Sequence, residues 1–121
     1  MKPPVEHVRV SAKGKEILIK IKRRTGLEHW NEICRIALCR SLANPTPPLQ
    51  PAKNYESSID MDWKTFAGAS SDLLSAVIYL RAKNDRVDYS NRDTLIDYFR
   101  SHLERGISSL QQLHDITELF R

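Results

Sequence analysis

Apolar residues recur along this chain with two periods, and the change from one period to the other predicts its secondary structure. Near the amino end, Val8 and Val10 alternate with polar neighbours, which is typical of a short strand or an extended arm. A second alternating stretch at residues 59–64 predicts another strand, which we expect Gly68 to end. Both predicted strands are short, so they can form only a small sheet.

The remaining apolar residues follow helical spacing and predict five helices, at residues 12–24, 30–41, 72–83, 92–104 and 110–120. The centre of the first one, EILIKIK, also alternates like a strand. A strand would need an earlier turn than the one at Thr25 and Gly26, so we interpret this segment as a helix. Four of its residues share one face of that helix: Gly14, Ile17, Leu18 and Ile21.

Polar residues and glycines mark the ends of several predicted helices. Ser11 is placed to cap the first helix, and Gly26 suits a left-handed conformation at its end. Gly106 is expected to end or kink the helix that begins near residue 92. Two further helix starts have the spacing of a capping box, Thr25 with Glu28 and Ser90 with Asp93.

The helix at residues 72–83 is apolar around most of its circumference, through Leu73, Leu74, Val77, Ile78 and Leu80. A helix that is apolar on all sides is usually buried, so we expect it at the centre of the fold. The elements together predict a mainly α-helical, oligomeric single domain with one or two short β strands. Its parts are a basic helix–turn–helix-like unit at 11–42, a proline-rich connector at 44–51 and a helical remainder at 58–121.

The positive charge of this chain is concentrated at its amino end. Residues 1–42 hold ten Lys/Arg against four Asp/Glu, whereas residues 43–121 hold nine against eleven. Such an asymmetry indicates a polyanionic partner on one face, although a solvated surface helix would show the same pattern. The candidate DNA-binding residues are Lys13, Lys15, Lys20, Lys22, Arg23, Arg24, Arg35 and Arg40.

Other functional classes find little support in the sequence. No Cys-x-x-Cys pair, Cys/His clamp or G-x-x-x-x-G-K loop is present, so we expect no metal and no cofactor. Cys34 is expected in the core, and Cys39 falls off the apolar stripe. No apolar run reaches membrane-spanning length, and the polar start MKPPVEHVR does not resemble a signal peptide. We therefore expect a cytoplasmic protein without a membrane partner.

Three sites carry residue types that chemistry uses, and each has a structural alternative. Asp60, Asp62 and Lys64 would share one strand face as a fragment of a metal-dependent nuclease site, or would only keep a strand edge soluble. His102 lies on an apolar helix side, where a hydrogen-bonded core histidine is favoured over a ligand or base. The aromatic pair Trp63 and Phe66 would stack on an exposed base or fill a core.

Several segments, in order along the chain, resemble the DndE family of the bacterial DNA phosphorothioation system. They are RRTGL at residues 23–27, CRIALC and SL at 34–39 and 41–42, WKTFAG at 63–68 and HLERGI at 102–107. The resemblance thus extends over nearly the whole chain. The proline-rich connector and the last dozen residues add little to it.

The resemblance implies an accessory, nonenzymatic DNA-binding protein of the sulfur modification machinery. It implies a homotetramer that binds double-stranded and nicked DNA through a lysine-rich surface, in company with the other proteins of the sulfur modification complex. The residues agree with this role, because lysines hold phosphates as point charges without reading bases. We therefore expect DNA binding that is independent of sequence and sensitive to salt.

Two other functions fit parts of the sequence. A ribbon-helix-helix transcriptional regulator has the same order of strand, helix, turn and helix, but the strand offers only Glu6, His7 and Arg9 for base reading. A metal-dependent nicking endonuclease would use Asp60 and Asp62. The first alternative leaves the long carboxyl-terminal half without a role.

Overall fold

Both predicted strands are present and pair with each other. The computed structural model describes residues 2–49 and 59–113. Strand β1 is His7–Arg9 and strand β2 is Asp60–Asp62, and they run antiparallel with Val8 opposite Met61. Because β2 follows the proline-rich connector, this ladder joins the amino-terminal segment to the second half of the chain.

Five α-helices make up most of the described residues, which confirms the mainly helical fold class. They are α1 (Ala12–Thr25), α2 (Trp30–Ala43), α3 (Trp63–Ala67), α4 (Ser71–Asn84) and α5 (Arg92–Ser109). Short 3-10 turns follow α3 at Gly68–Ser70 and α5 at Leu110–Gln112. No helix within residues 2–49 and 59–113 combines the length and the apolar character needed to cross a membrane.

The ends of α1 lie where the sequence predicts them. The Ser11 hydroxyl accepts a hydrogen bond of 2.9 Å from the backbone N–H of Gly14, which satisfies an otherwise unpaired group of the first turn. Gly26 closes the helix with a φ of 74°, a conformation that costs glycine little. The predicted apolar face is the buried one: Gly14, Ile17, Leu18 and Ile21.

The two predicted capping boxes are wrong. Helix α2 begins after His29, whose side chain makes no capping bond, because the Thr25 hydroxyl instead donates to the Ile21 carbonyl at the end of α1. Helix α5 is capped by Asn91, whose side-chain oxygen accepts from the N–H of Thr94. In both cases the helix begins later in the chain than the capping box predicts.

The second strand ends earlier than predicted, because Asp62 starts a helix. Its carboxylate accepts a hydrogen bond of 2.7 Å from the N–H of Thr65 and caps α3. Lys64 therefore lies on a helix and not on the strand face with Asp60 and Asp62. The prediction that Gly68 ends a strand is wrong, since this glycine closes α3.

Helix α5 is the centre of the fold, and Gly106 lies in its interior instead of ending it. A Cβ atom added to Gly106 would lie 1.8 Å from the carbonyl oxygen of Ala37 on α2. The glycine is therefore what allows the backbones of α2 and α5 to approach each other. The sequence pattern predicted an end or a kink at Gly106 because its partner, Ala37, is distant in sequence.

Helix α4 is not the buried element that its sequence predicts. One side, with Leu74 and Ile78, packs on the core. The opposite side leaves Leu73 66%, Val77 37% and Leu80 61% exposed. The helix is apolar on two sides, but the described part of the chain covers only one of them.

Two predictions lie partly or wholly outside the described residues. The connector is described only as far as Leu49 of the predicted 44–51 segment. The last predicted helix at 110–120 is seen only as the 3-10 turn at Leu110–Gln112, and residues 114–121 lie beyond the described range.

Candidate nucleic-acid interface

The six candidate cations of α1 all lie outside its buried face. With about 100° of rotation per residue, Lys13, Lys20 and Arg24 lie along one edge of the remaining surface, and Lys15 and Lys22 lie along the other. Arg23 projects between the two edges. The side chains of Lys13, Lys20, Arg23 and Arg24 are exposed, and those of Lys15 and Lys22 are half-buried.

Lys22 and Arg24 contact other parts of the chain. The Lys22 ammonium lies 4.5 Å from the centroid of the Trp30 ring, a cation–π contact that steadies the side chain. Arg24 donates through Nη1 to the carbonyl oxygen of Leu113 at 3.2 Å, so α1 is anchored to the end of the α5 segment. The last turn also gains stability from its basic residues, which face the negative end of the helix dipole.

Arg35 and Arg40 belong to α2 and are separated from each other by their contacts. Arg35 donates to the carbonyl oxygen of Phe66 at 3.2 Å and so holds the end of α3. Arg40 donates through Nε to the Ser109 hydroxyl at 3.0 Å, at the far end of α5. The six cations of α1 thus share one helix. Arg35 and Arg40 lie apart on α2, where each bonds to another element of the chain.

The β1–β2 ribbon presents mixed charge. Asp60 pairs with Arg9 at 3.2 Å and with His7 at 3.4 Å, and the bond from Thr65 lowers the pKa of the Asp62 carboxyl. Among residues 2–49 and 59–113, no three His, Cys, Asp or Glu side chains form a metal-binding group. The predicted strand face is wrong in one residue, because Asp60 and Asp62 lie on β2 whereas Lys64 lies on α3. Both strands of the ribbon belong to one chain.

Comparison with known protein families gives a match over nearly the whole chain. Residues 7–118 match the family model described as DNA sulphur modification protein DndE. The chain belongs to the DndE family. No protein among the curated ones matches the sequence.

Solved structures of DndE show the same fold at low sequence identity. DndE from Escherichia coli B7A, described as involved in DNA phosphorothioation modification, is 22% identical, with a TM-score of 0.70 over 88% of this chain and 96% of that one. A DndE mutant in which glycines are replaced by lysines, involved in DNA phosphorothioation, is 20% identical, with a TM-score of 0.68 over 90% and 99% of the two chains.

Several residues of the segments that resemble DndE lie in the interior of this chain. Trp63 and Phe66 are buried, and their rings lie 5.9 and 5.8 Å from the ring of Phe99. Neither aromatic side chain is available to stack on a base, so the core interpretation of this pair is the correct one. Ala37 and Gly106, from two other DndE-like segments, form the contact between α2 and α5.

His102 of the last DndE-like segment is a buried, hydrogen-bonded histidine, as predicted. Its Nδ1 lies 2.8 Å from the Ser41 hydroxyl, which also accepts from Arg105 at 2.8 Å. Burial and the nearby Arg105 and Arg81 lower the pKa of His102 to about 4, so the ring is neutral at pH 7. Since Ser41 is only 2% exposed, this Ser–His pair has no access to a substrate.

Sequence patterns missed the arginines that hold the end of α2. Arg105 donates to the carbonyl oxygens of Ser41 and Thr46, and Arg81 donates to those of Leu42, Asn44 and Thr46. These bonds satisfy carbonyls that a helix end leaves without partners. The only signal in the sequence was an arginine close to apolar positions of each helix, which is too common to identify such a contact.

The two cysteines of this DndE-family chain are not activated. Cys34 is buried in the core, as predicted, and burial together with Glu104 raises the pKa of its thiol to about 12. Cys39 lies at the surface, where neighbouring groups exclude part of the water around its thiol and so raise its pKa as well. The thiolate is the reactive form, so neither side chain has the environment of a nucleophile.

Proposed function

We propose that this chain is an accessory, DNA-binding component of the DNA phosphorothioation system, and that it binds duplex and nicked DNA through the cations of α1. The observation that carries this proposal is that six Lys/Arg side chains of one helix lie outside its buried face. DNA carries one negative charge per about 1.7 Å of helix axis, so a row of ammonium groups meets phosphates in any register.

The chemistry of the surface favours positioning on DNA over base reading. Four of the six cations are lysines, which act as strongly hydrated point charges with little demand on geometry. The paired strands offer His7 and Arg9 beside two carboxylates, a poor set for the bases of the major groove. DNA binding by this surface therefore depends on phosphate charge and not on sequence.

Binding is expected to fall steeply with salt and to be nearly equal for unrelated sequences. Each phosphate contact contributes about −0.9 to the slope of log K against log salt, so engagement of four or more cations gives a slope steeper than about −3. Electrophoretic titrations at several salt concentrations measure the affinity and its salt dependence. They use intact, nicked and phosphorothioated duplexes, each in two sequences. A flat salt dependence, or strong preference for one sequence, would contradict the proposal.

The same proposal includes a homotetramer, and the exposed side of α4 supports self-association. Leu73, Val77 and Leu80 recur every three or four residues and so form one apolar stripe on this side. Tyr89, 44% exposed, lines a shallow pocket together with Leu80. A stripe of one helix can pack on the same stripe of a second copy about a twofold axis, which buries both at once.

Lysine substitution on this stripe is expected to break the assembly. Leu73→Lys with Leu80→Lys places like charges against each other across a twofold contact, so the particle mass should fall from that of a tetramer to that of a dimer or of a single 14.0 kDa chain. Light scattering measures the mass, and Leu49→Lys on the connector is the matched control at another exposed leucine. A double variant with the mass of the unmodified protein would show that the contact lies elsewhere.

The loss of assembly should also weaken DNA binding. Linked copies bind one duplex with a high effective concentration, so several weak cation surfaces act together. The double variant of α4 keeps every residue of α1. If it dissociates, it should still lose affinity for DNA, which separates the effect of assembly from the effect of the α1 charges.

A further inference from the structure

A second basic site lies on elements other than α1. Arg92, Ile96 and Arg100 follow each other at every fourth residue of α5, and so line one face of that helix. This face borders a surface cleft of about 360 Å³ that also contacts β1 through His7 and Arg9. Three arginines from two separate elements thus line one concave surface.

The walls of the cleft are held in place. Arg92 donates through Nη1 to the carbonyl oxygen of Pro3 at 3.1 Å and to the Tyr79 hydroxyl at 3.4 Å. Arg9 donates through Nε to Asp60 at 3.2 Å, on the neighbouring strand. Fixed side chains lose less entropy when they bind a ligand, so these contacts prepare the cleft for binding.

The charge balance of the cleft is positive. Its described lining residues include Arg9, Arg92 and Arg100 against one carboxylate, that of Glu6, but the charge of Arg9 is paired with the neighbouring Asp60. The excess positive charge is therefore that of Arg92 and Arg100. The side chains of Arg92 and Arg100 are half-buried, and partial exclusion of water strengthens their interaction with an anion. The rest of the lining is Val5, His7 and Ile96.

We infer that this cleft binds a tetrahedral oxyanion, and that its ligand is a backbone phosphate of DNA. The second half of this inference rests on the proposed function. A planar guanidinium presents two parallel N–H donors that match two oxygens of a phosphate, a geometry that lysine cannot provide. The lysines of α1 hold DNA by charge alone, whereas this cleft fixes one phosphate at a defined position.

The first test uses inorganic phosphate and therefore does not depend on DNA binding. In ¹⁵N NMR titrations, the Nε–Hε resonances of Arg9, Arg92 and Arg100 should shift with a single saturable curve. The variant with all four α1 lysines changed to Glu should show the same curve, since its cleft is intact. Resonances of the cleft that do not move with phosphate would overturn the inference, whatever the behaviour of α1 towards DNA.

The second test uses variants that keep the charge and lose the fork. Arg92→Lys and Arg100→Lys should each weaken phosphate binding and lower DNA affinity about fivefold, because one bidentate contact is lost. Arg86→Lys, at an exposed site of another segment, is the matched control. Arg9→Lys, at an exposed side chain of β1, repeats the test if a variant on α5 does not fold.

The outcomes separate the two possible sources of the anion. Weaker binding of both phosphate and DNA supports the inference. Weaker phosphate binding with unchanged DNA affinity keeps the oxyanion site, assigns it to free phosphate and overturns the DNA half. Variants that bind phosphate as well as the unmodified protein overturn the site itself.

Discussion

Changing four lysines of α1 to Glu is expected to lower affinity for duplex DNA at least about 100-fold at moderate salt and to flatten the salt dependence. The residues are Lys13, Lys15, Lys20 and Lys22. Each reversal removes a phosphate contact and adds a repulsive charge at the same place. Fluorescence anisotropy with a labelled nicked duplex, read at several salt concentrations, gives both the affinity and the slope.

The fold should survive these four changes. Lys13 and Lys20 are exposed, and the loss of the Lys22 contact with Trp30 costs only about 0.5–1 kcal/mol. Circular dichroism checks the helix content. If the variant folds and still binds DNA like the unmodified protein, the assignment of the surface to α1 is wrong.

Net charge alone must be excluded as the cause of any loss of DNA affinity. The control reverses Lys2, Lys64 and Arg86, three exposed cations that lie outside α1. It is compared with an α1 variant in which only three of the four lysines are reversed, so both variants change the net charge equally. Long-range attraction to DNA falls in both variants, but only the α1 variant loses contacts. The control should therefore lose much less affinity, and the difference between the two should widen as salt screens the long-range part.

Replacement of Gly106 by Ala is expected to destabilise the protein by at least about 3 kcal/mol, near the upper end of typical overpacking costs. In an ordinary helix interior the same change stabilises by about 1 kcal/mol, so the sign of the effect is diagnostic. The added methyl group would meet the backbone of Ala37, with its carbonyl oxygen at 1.8 Å. A backbone carbonyl cannot rotate away, so α2 and α5 must separate.

Urea unfolding at fixed protein concentration, followed by tryptophan fluorescence, measures this effect. Gly14→Ala on α1 is the matched control, since the atoms nearest to its new methyl group belong to the side chains of Val10, Glu104 and Ser11. Side chains adjust more readily than backbone, so this variant should lose considerably less stability. Equal stability of Gly106→Ala and the unmodified protein would contradict the packing described for α2 and α5.

Local signals predicted the elements of this fold well. The face of α1, the cap at Ser11 and the left-handed Gly26 depend on residues close in sequence, and all three are present. The alternation near Val8 also correctly predicted a strand. Such features are decided within one turn or one strand, where sequence carries the information.

Features that depend on distant partners were not predictable from these patterns. Gly106 looks like a helix breaker until Ala37 is known to face it, and α4 looks buried until the extent of the core is known. The end of the second strand was missed because Asp62 serves as a helix cap, which a strand-like alternation conceals. In each case a tertiary contact overrode the local pattern.

The candidate site was predictable in part. Clustering of lysines on α1 follows from their spacing once a helix is assumed. The partners of Arg35 and Arg40 lie on α3 and at the end of α5, so sequence could not foresee that these two arginines hold elements together. The arginine cleft was equally hidden, because it needs Arg9 of β1 beside a face of α5.

The pairing of β1 with β2 bears on whether the basic third of the chain can act after excision. β1 finds its strand partner only after the connector, and the N–H of Ser11 at the start of α1 donates to Glu104 of α5. A peptide cut out as residues 1–49 would lose both supports, so we expect it to be a flexible polycation. Only the intact polypeptide would hold its ammonium groups at the fixed separations on which a rigid grip of the double helix depends.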